Sequence, residues 1–294
     1  MRNWFSAVFF IQLFCGSAHA IILFGLDNSA NQIDPGTGVP FDAVARVSNA
    51  AGTTLGGTAI HLGGGWMLTA NHVGPFDSTT FDGTTFYQRD MSVPTVQLGT
   101  ADLKLYRLTA TPTVSAVNVY SGSAENTGPA TLIGWGRGRA ASVPVNSTSV
   151  TWSTSDATSA KRWGLNQPTG LINLSYNSYQ FESIYTILGS DTGTPAGLGE
   201  NEAAVLMLDS GAGMFQQIGG IWYLIGVAVT VEVSGTSTFG NDAVVSGRGD
   251  ANYFARISPY SEEIMAITGI PEPSAAAVAG LFAMLMMMRR RDRG

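Results

Sequence analysis

An all-β fold is predicted by three features of this 294-residue chain. Glycine is abundant, with serine and threonine crowded around it, and long helical periodicity is nearly absent. Short apolar stretches recur between turn residues, at 43–47, 57–62, 66–69, 95–98, 103–108, 130–133, 203–208 and 222–231. Brief apolar runs at close spacing indicate a sandwich or barrel. Asp82-Gly83, between 79–81 and 84–87, reads as a hairpin turn. Stretches rich in Pro, Gly and Ser at 188–200 and 234–250 read as loops, and 258–267 as one short C-terminal helix with Ser261 or Ser258 as its cap. No repeat of fixed period is present.

The two ends carry addresses. Residues 1–20 join Arg2, an apolar run and the small-x-small site Ala18-His19-Ala20, the layout of a secretory signal peptide cut between Ala20 and Ile21. At the other end Pro271-Glu272-Pro273 precedes an apolar run at 274–288 and then Arg289-Arg290-Arg291. That run is short for a spanning helix, which needs roughly 17–25 residues, and the basic cluster suits a cytoplasmic end. The layout of 271–294 resembles the PEP-CTERM sorting signal of Gram-negative bacteria. The resemblance implies export, transient anchoring in the inner membrane, processing by an exosortase, and a final place at the cell surface or in the extracellular matrix. An ordinary C-terminal anchor is the alternative.

Residues 21–270 are long enough for one two-lobed β domain or two small domains. The single cysteine, Cys15, falls in the leader, so no disulfide staples this core and its stability must come from apolar burial. Five of the 15 basic residues lie in the two ends, against two of the 21 acidic ones, which leaves about nine net negative charges on the core. Nothing there suits a nucleic acid. No His/Cys/carboxylate cluster has metal-ligand spacing and no glycine loop suits phosphate, so neither metal nor cofactor is expected.

Three segments carry chemistry. A hydroxyl nucleophile needs a general base, and the base needs a carboxylate to orient it. Outside the leader the only histidines are His61 and His72. His72 ends the strand-and-turn Gly63-Gly64-Gly65-Trp66-Met67-Leu68-Thr69-Ala70-Asn71-His72-Val73, whereas His61 reads as a structural histidine. Asp102 heads Leu103-Lys104-Leu105-Tyr106-Arg107-Leu108, in which Leu103, Leu105 and Leu108 face inward while Lys104 and Arg107 reach solvent. Asp77, Asp82 and Asp90 compete for the carboxylate role, although Asp82 is accounted for by its turn. Ser210 lies in Leu208-Asp209-Ser210-Gly211-Ala212-Gly213, after an apolar run.

These segments resemble the histidine, aspartate and serine motifs of the trypsin/chymotrypsin-like serine proteases. The chain order His72, Asp102, Ser210 is that family's order and differs from that of subtilisins and α/β-hydrolases. Gly134-Trp135-Gly136 matches a turn common in the middle of such proteases, and 221–227 the strand that follows the serine. Residues 161–164 and 81–84 resemble pieces of exported bacterial members, so the likeness covers most of 43–230. It implies two antiparallel six-stranded β-barrels, divided near 115–130, with the site in the cleft between them. The roles implied are Ser210 as nucleophile, His72 as base, Asp102 as its orienting partner, the amides of Leu208 and Ser210 as oxyanion hole, and a polypeptide as substrate.

The match departs from the pattern in three places. Leu208 stands where the family has the glycine whose N–H serves the oxyanion hole. Either its backbone takes the glycine conformation with modest strain or the peptide flips. Ala204 occupies the position that is aspartate in trypsins, and Val229, Thr230 and Val231 replace Ser-Trp-Gly. That implies a narrowed pocket for small apolar side chains. Signal cleavage would also free Ile21, whose ammonium would have Asp209 as its partner in the family's activation switch, although Leu23-Phe24-Gly25 lacks the usual Gly-Gly hinge. The rival functional readings are a protease-shaped surface or matrix protein that binds without cleaving, and a purely structural matrix component. Arg248-Gly249-Asp250 reads as a polar turn, and the sequons at 146–148 and 173–175 as incidental.

Overall fold

The computed structural model describes residues 21–270 apart from 28, 75, 126–127, 141–148, 151–155, 189–197, 207, 233–238 and 241–250. The expected leader, the expected sorting tail with its apolar run at 274–288, the sequon at 146–148, Arg248-Gly249-Asp250 and most of the two expected loops lie outside the described residues. Among the described residues, no helix is long and apolar enough to cross a membrane.

The chain begins with β1 (Ile22–Leu23) and then builds a first sheet from β2 (Val44–Ser48), β3 (Leu55–Gly63), β4 (Trp66–Thr69), β5 (Ser78–Thr80), β6 (Phe86–Gln88), β7 (Val96–Gln97) and β8 (Lys104–Arg107). Its spatial order is β6-β5-β2-β3-β4-β8-β7, antiparallel throughout. A bridge from Arg89 to Leu108 joins the far edge at β6 back to β8. Six strands therefore close into a barrel, and the two-residue β7 hangs outside it. Met67 and Tyr106 lie opposite each other on one face of this sheet and Ile60, Leu68 and Leu105 on the other, all with no solvent exposure.

The hairpin expected at Asp82-Gly83 joins β5 to β6, but through five residues rather than two. The Asp82 carboxylate explains the longer loop: its Oδ1 accepts the amides of Thr84 and Thr85, both at 2.7 Å, and holds the chain open. Those donors push the Asp82 pKa well below the usual carboxylate range.

The second half contains β9 (Asn118–Val119), β10 (Ala130–Gly136), β11 (Ser149–Val150), β12 (Ala160–Asn166), β13 (Pro168–Tyr176), β14 (Tyr179–Ile187), β15 (Ala203–Ala204), β16 (Gly213–Ile218), β17 (Ile221–Val231), β18 (Phe239–Gly240) and β19 (Ala251–Arg256). The main sheet runs β12-β10-β16-β17-β19-β14-β13, with β9 added beside β17. Only Gln167 separates β12 from β13, so one bent strand supplies both edges. Counted that way, six antiparallel strands form this ring too. β1 pairs with β15, Ile22 opposite Ala204, and the short pair β11–β18 stands apart.

Leu132, Met214, Ile225, Phe254 and Ile184 form the second core together with Ile21 and Leu23. β2 and β3 also lie against β10. This explains why β3 is buried along almost its whole length instead of alternating: one face meets its own barrel, the other its neighbour.

The C-terminal helix α1 (Ser261–Thr268) follows a single 3-10 turn at Ser258–Tyr260. Neither serine caps it as expected. The N-cap is Tyr260, with no side-chain cap bond, because the Ser261 hydroxyl donates to the Ser258 carbonyl at 2.9 Å. Gly-Trp-Gly at 134–136 is likewise no turn; it lies inside β10, and Gly134 is required there because a Cβ would come within 2.5 Å of Asp209 Oδ1.

Candidate active site

β4 carries the chain to Thr69, and a tight turn follows, closed by Val73 N–H donating to the Ala70 carbonyl at 3.1 Å. Ala70 is fully buried, so the turn packs closely and presents His72. The Asn71 amide donates to the Asp102 carbonyl at 3.1 Å, which ties this turn to the segment before β8. The Asp102 side chain has no exposure and completes the tie. Its Oδ1 accepts the His72 backbone N–H at 2.9 Å, and its Oδ2 lies 2.5 Å from His72 Nδ1. On the other side of the ring, His72 Nε2 lies 2.7 Å from Ser210 Oγ. The three residues expected to act together are thus in one line.

The line fixes a proton arrangement. An ionised carboxylate only accepts, so Nδ1 carries the hydrogen and Nε2 presents its lone pair to the serine O–H. That is the state in which His72 can serve as a base, at a distance within general-base reach. His61, by contrast, is buried, with Nδ1 against the Ser115 carbonyl at 3.4 Å, and burial lowers its pKa.

Lys104 corrects the sequence expectation. Arg107 reaches solvent, but Lys104 does not: it is 5 % exposed. Its Nζ donates to the carbonyls of Asn71 at 2.9 Å and Val73 at 2.7 Å and lies 3.7 Å from the Phe76 ring centroid. Burial pulls its pKa down to about 8 against the opposing charge of Asp102. A cation under the histidine turn gives those two carbonyls donors, which strand alternation alone did not anticipate.

The loop that carries Ser210 is fastened to the first barrel. Thr58 N–H in β3 donates to the Ser210 carbonyl at 2.9 Å. Gly211, at φ 90°, sits so close to the same strand that a Cβ would lie 1.9 Å from the Thr58 carbonyl oxygen. Leu208 holds φ 71°, the left-handed region that glycine enters freely and a leucine enters at a cost of about 1–2 kcal/mol. Leu208→Gly is therefore expected to raise unfolding stability by roughly 0.5–1 kcal/mol, after the extra freedom of glycine in the unfolded chain is deducted. Denaturant melts check this, and a destabilised variant would show that the leucine side chain contributes more than its backbone costs.

Asp209 is fully buried, and its Oδ2 accepts the Leu206 amide at 3.0 Å. Desolvation raises its pKa well above the usual carboxylate range, and the Leu206 amide, the Arg162 guanidinium and the Ile21 amide oppose that rise. Ile21 is itself without exposure. The two residues expected to pair are therefore in one buried pocket, with Arg162 of β12 beside them.

The expected specificity residues separate. Ala204 is buried with Ile22 and Leu206, and Val231 packs against that cluster. Val229 belongs to the core shared with the first barrel, and Thr230 is half-buried. A further contributor, absent from the sequence-based expectations, is Tyr176, whose hydroxyl donates to Asp102 Oδ2.

Comparison of the sequence with family models finds no match, and comparison with curated proteins finds none at the sequence level. Several solved structures align with this chain. An inactive mutant form of Rv3671c from Mycobacterium tuberculosis aligns over 85% of this chain and 97% of its own, at 11% identity and a TM-score of 0.49. Neuropsin, a serine protease from mouse brain, aligns over 81% of this chain and 97% of its own, at 14% identity and a TM-score of 0.49. The murine norovirus NS6 protease aligns over 68% of this chain and 85% of its own, at 16% identity and a TM-score of 0.39. No residue role is carried over from them. The two antiparallel six-stranded rings of this chain are the double barrel that the sequence motifs implied. His72 and Asp102 of the first barrel meet Ser210 of the second.

Proposed function

We propose that the chain is an exported serine endopeptidase that hydrolyses peptide bonds through an acyl-enzyme at Ser210. The observation that carries this reading is the unbroken line from Asp102 through His72 to Ser210, at 2.5 and 2.7 Å. As Ser210 Oγ attacks a peptide carbonyl carbon, its proton passes to His72 Nε2. Asp102 holds the ring and offsets the charge of the imidazolium. The carbonyl oxygen becomes an oxyanion for the amides of Leu208 and Ser210. Collapse of the tetrahedral species breaks the C–N bond, and His72 returns the proton to the leaving amine. Water then repeats the sequence on the ester, again with His72 as base, and frees Ser210.

Ala204 and Val231, which share one buried cluster, offer no carboxylate to a lysine or arginine side chain, and this argues against cleavage after those residues. Signal-peptide removal would free the Ile21 ammonium for Asp209. The resemblance of the two end segments to a signal peptide and a PEP-CTERM tail supports a mature protein at the surface or in the matrix of a Gram-negative bacterium, with the export machinery and an exosortase as partners. Leucine at 208 in place of the family's glycine, together with the altered segment Val229, Thr230 and Val231, favours one rival, a protease-shaped protein that binds peptide without cutting it.

A fluorophosphonate probe on the mature protein separates the two readings. Labelling of the wild type that vanishes in Ser210→Ala is the expected result; a folded wild type that stays unlabelled would leave the binding reading.

A further inference from the structure

The Asp102 carboxylate holds more than a histidine. Tyr176 ends β13 on the second sheet, and its hydroxyl donates to Asp102 Oδ2, the oxygen that also receives His72 Nδ1–H. The phenol oxygen lies 3.3 Å from Nδ1, and the residue is 7 % exposed. The rest of the hairpin fastens onto the same part of the first barrel. Tyr179 takes a hydrogen bond from Asn71 Nδ2 at 3.2 Å, beside His72. The Gln180 amide donates to the Thr100 carbonyl at 2.9 Å, and the Thr100 hydroxyl returns a bond to the Gln180 carbonyl at 2.6 Å, two residues before Asp102.

We propose that Tyr176 is a positioning residue of this site, its hydroxyl fixing the plane of the Asp102 carboxylate and moderating the negative charge that His72 meets. The proposal rests on reading the Asp102–His72–Ser210 line as catalytic. A carboxylate with one oxygen held by the His72 amide and the other shared by two donors cannot rotate. Withdrawal of charge by the phenol also makes the carboxylate a weaker attractor of the imidazolium proton. Burial first, and then the charge of Asp102, push the Tyr176 pKa far above its ordinary value, so the phenol remains a donor at every working pH. The other groups facing His72 are Ser210 at Nε2, Tyr179 through Asn71, and Lys104, whose charge acts on Asp102 from β8. None of them changes when the phenol is removed.

Tyr176→Phe keeps the ring, with its packing on Tyr179 and Phe181, and deletes only the hydroxyl. In the protein purified after export, kcat is expected to fall about tenfold with KM nearly unchanged, the loss of one charge-assisted hydrogen bond. The acid limb of kcat/KM is expected to move up by about half to one pH unit, because His72 then faces a more negative carboxylate. The downfield proton resonance of His72 Nδ1–H, readable without turnover, should shift as well. In an Asp102→Asn background the same change should have almost no further effect on rate or on melting temperature.

An unmoved acid limb and an unmoved Nδ1–H resonance in Tyr176→Phe would overturn the proposal, as would full additivity with Asp102→Asn. An unlabelled, inactive wild type would instead defeat the reading of the site as catalytic. The proton resonance would still show whether the phenol acts on the Asp102–His72 pair.

Discussion

Asp102→Asn is expected to slow peptide hydrolysis by about 10⁴ at neutral pH while leaving the fold intact. The geometry says why a change of one atom weighs so much. The His72 backbone N–H points at Oδ1 from 2.9 Å and cannot turn away, so the carboxamide oxygen must take that place. Its NH₂ then falls where Oδ2 was, facing Nδ1. A donor there forces Nδ1 to accept, and the ring proton moves to Nε2, against Ser210 Oγ. The base has lost the lone pair with which it would take the serine proton. Steady-state rates with an unblocked peptide, read beside a thermal melt, test this. A folded Asn variant with undiminished kcat would remove Asp102 from the mechanism.

A second large effect is expected at the N-terminus. Adding one residue before Ile21 should lower activity by roughly 10²–10³, the cost of a disordered oxyanion donor. It should also destabilise the protein at pH 7 by about 1.5–3 kcal/mol, since a fully buried carboxylate loses one charged donor and keeps the Arg162 guanidinium. The pH dependence follows from the direction of the Asp209 shift. In the extended form Asp209 has a raised pKa, so as pH climbs above about 3.9 the unfolded state sheds its proton first and stability falls. In the form beginning at Ile21 the ammonium stabilises the ionised carboxylate. Pairing raises the amine pKa above its unfolded value of about 8, so that stabilisation is present below about pH 8 and disappears as pH rises through the raised value. The gap between the two forms should therefore open from about pH 4 upward and close in alkali. Equal activities and equal melting curves at pH 7 would show that the Ile21–Asp209 pocket is packing alone.

Much of this architecture was legible in the sequence because the informative segments are local. The turn at 69–73, the head of β8 and the loop at 208–211 each carry their chemistry within a few residues, and barrel strands such as β3, β4 and β17 stand out as apolar runs. The hairpin 168–187 did not, because β13 is mostly exposed and polar, with Leu171 and Ile172 among its outward residues. Tyr176 was invisible for the same reason: its partner is 74 residues away and on the other sheet. Lys104 was misread because alternation assigns its face to solvent, whereas the histidine turn and Phe76 cover that face. Gly134 looked like a turn, since the need for a missing Cβ arises from Asp209, which only the tertiary fold brings near.

The attachments across the cleft have a mechanical consequence. Ser210 belongs to the second barrel, yet its carbonyl is held by Thr58 of the first, while Asp102 of the first is held by Tyr176 of the second. Each half grips the other's contribution, so the alignment is a property of the assembled pair and neither half possesses it alone. A slide of one barrel past the other by an ångström would strain both grips at once, before any strand had lost its ladder. Hydrolysis should therefore fail early and all at once on heating, ahead of the loss of β-structure.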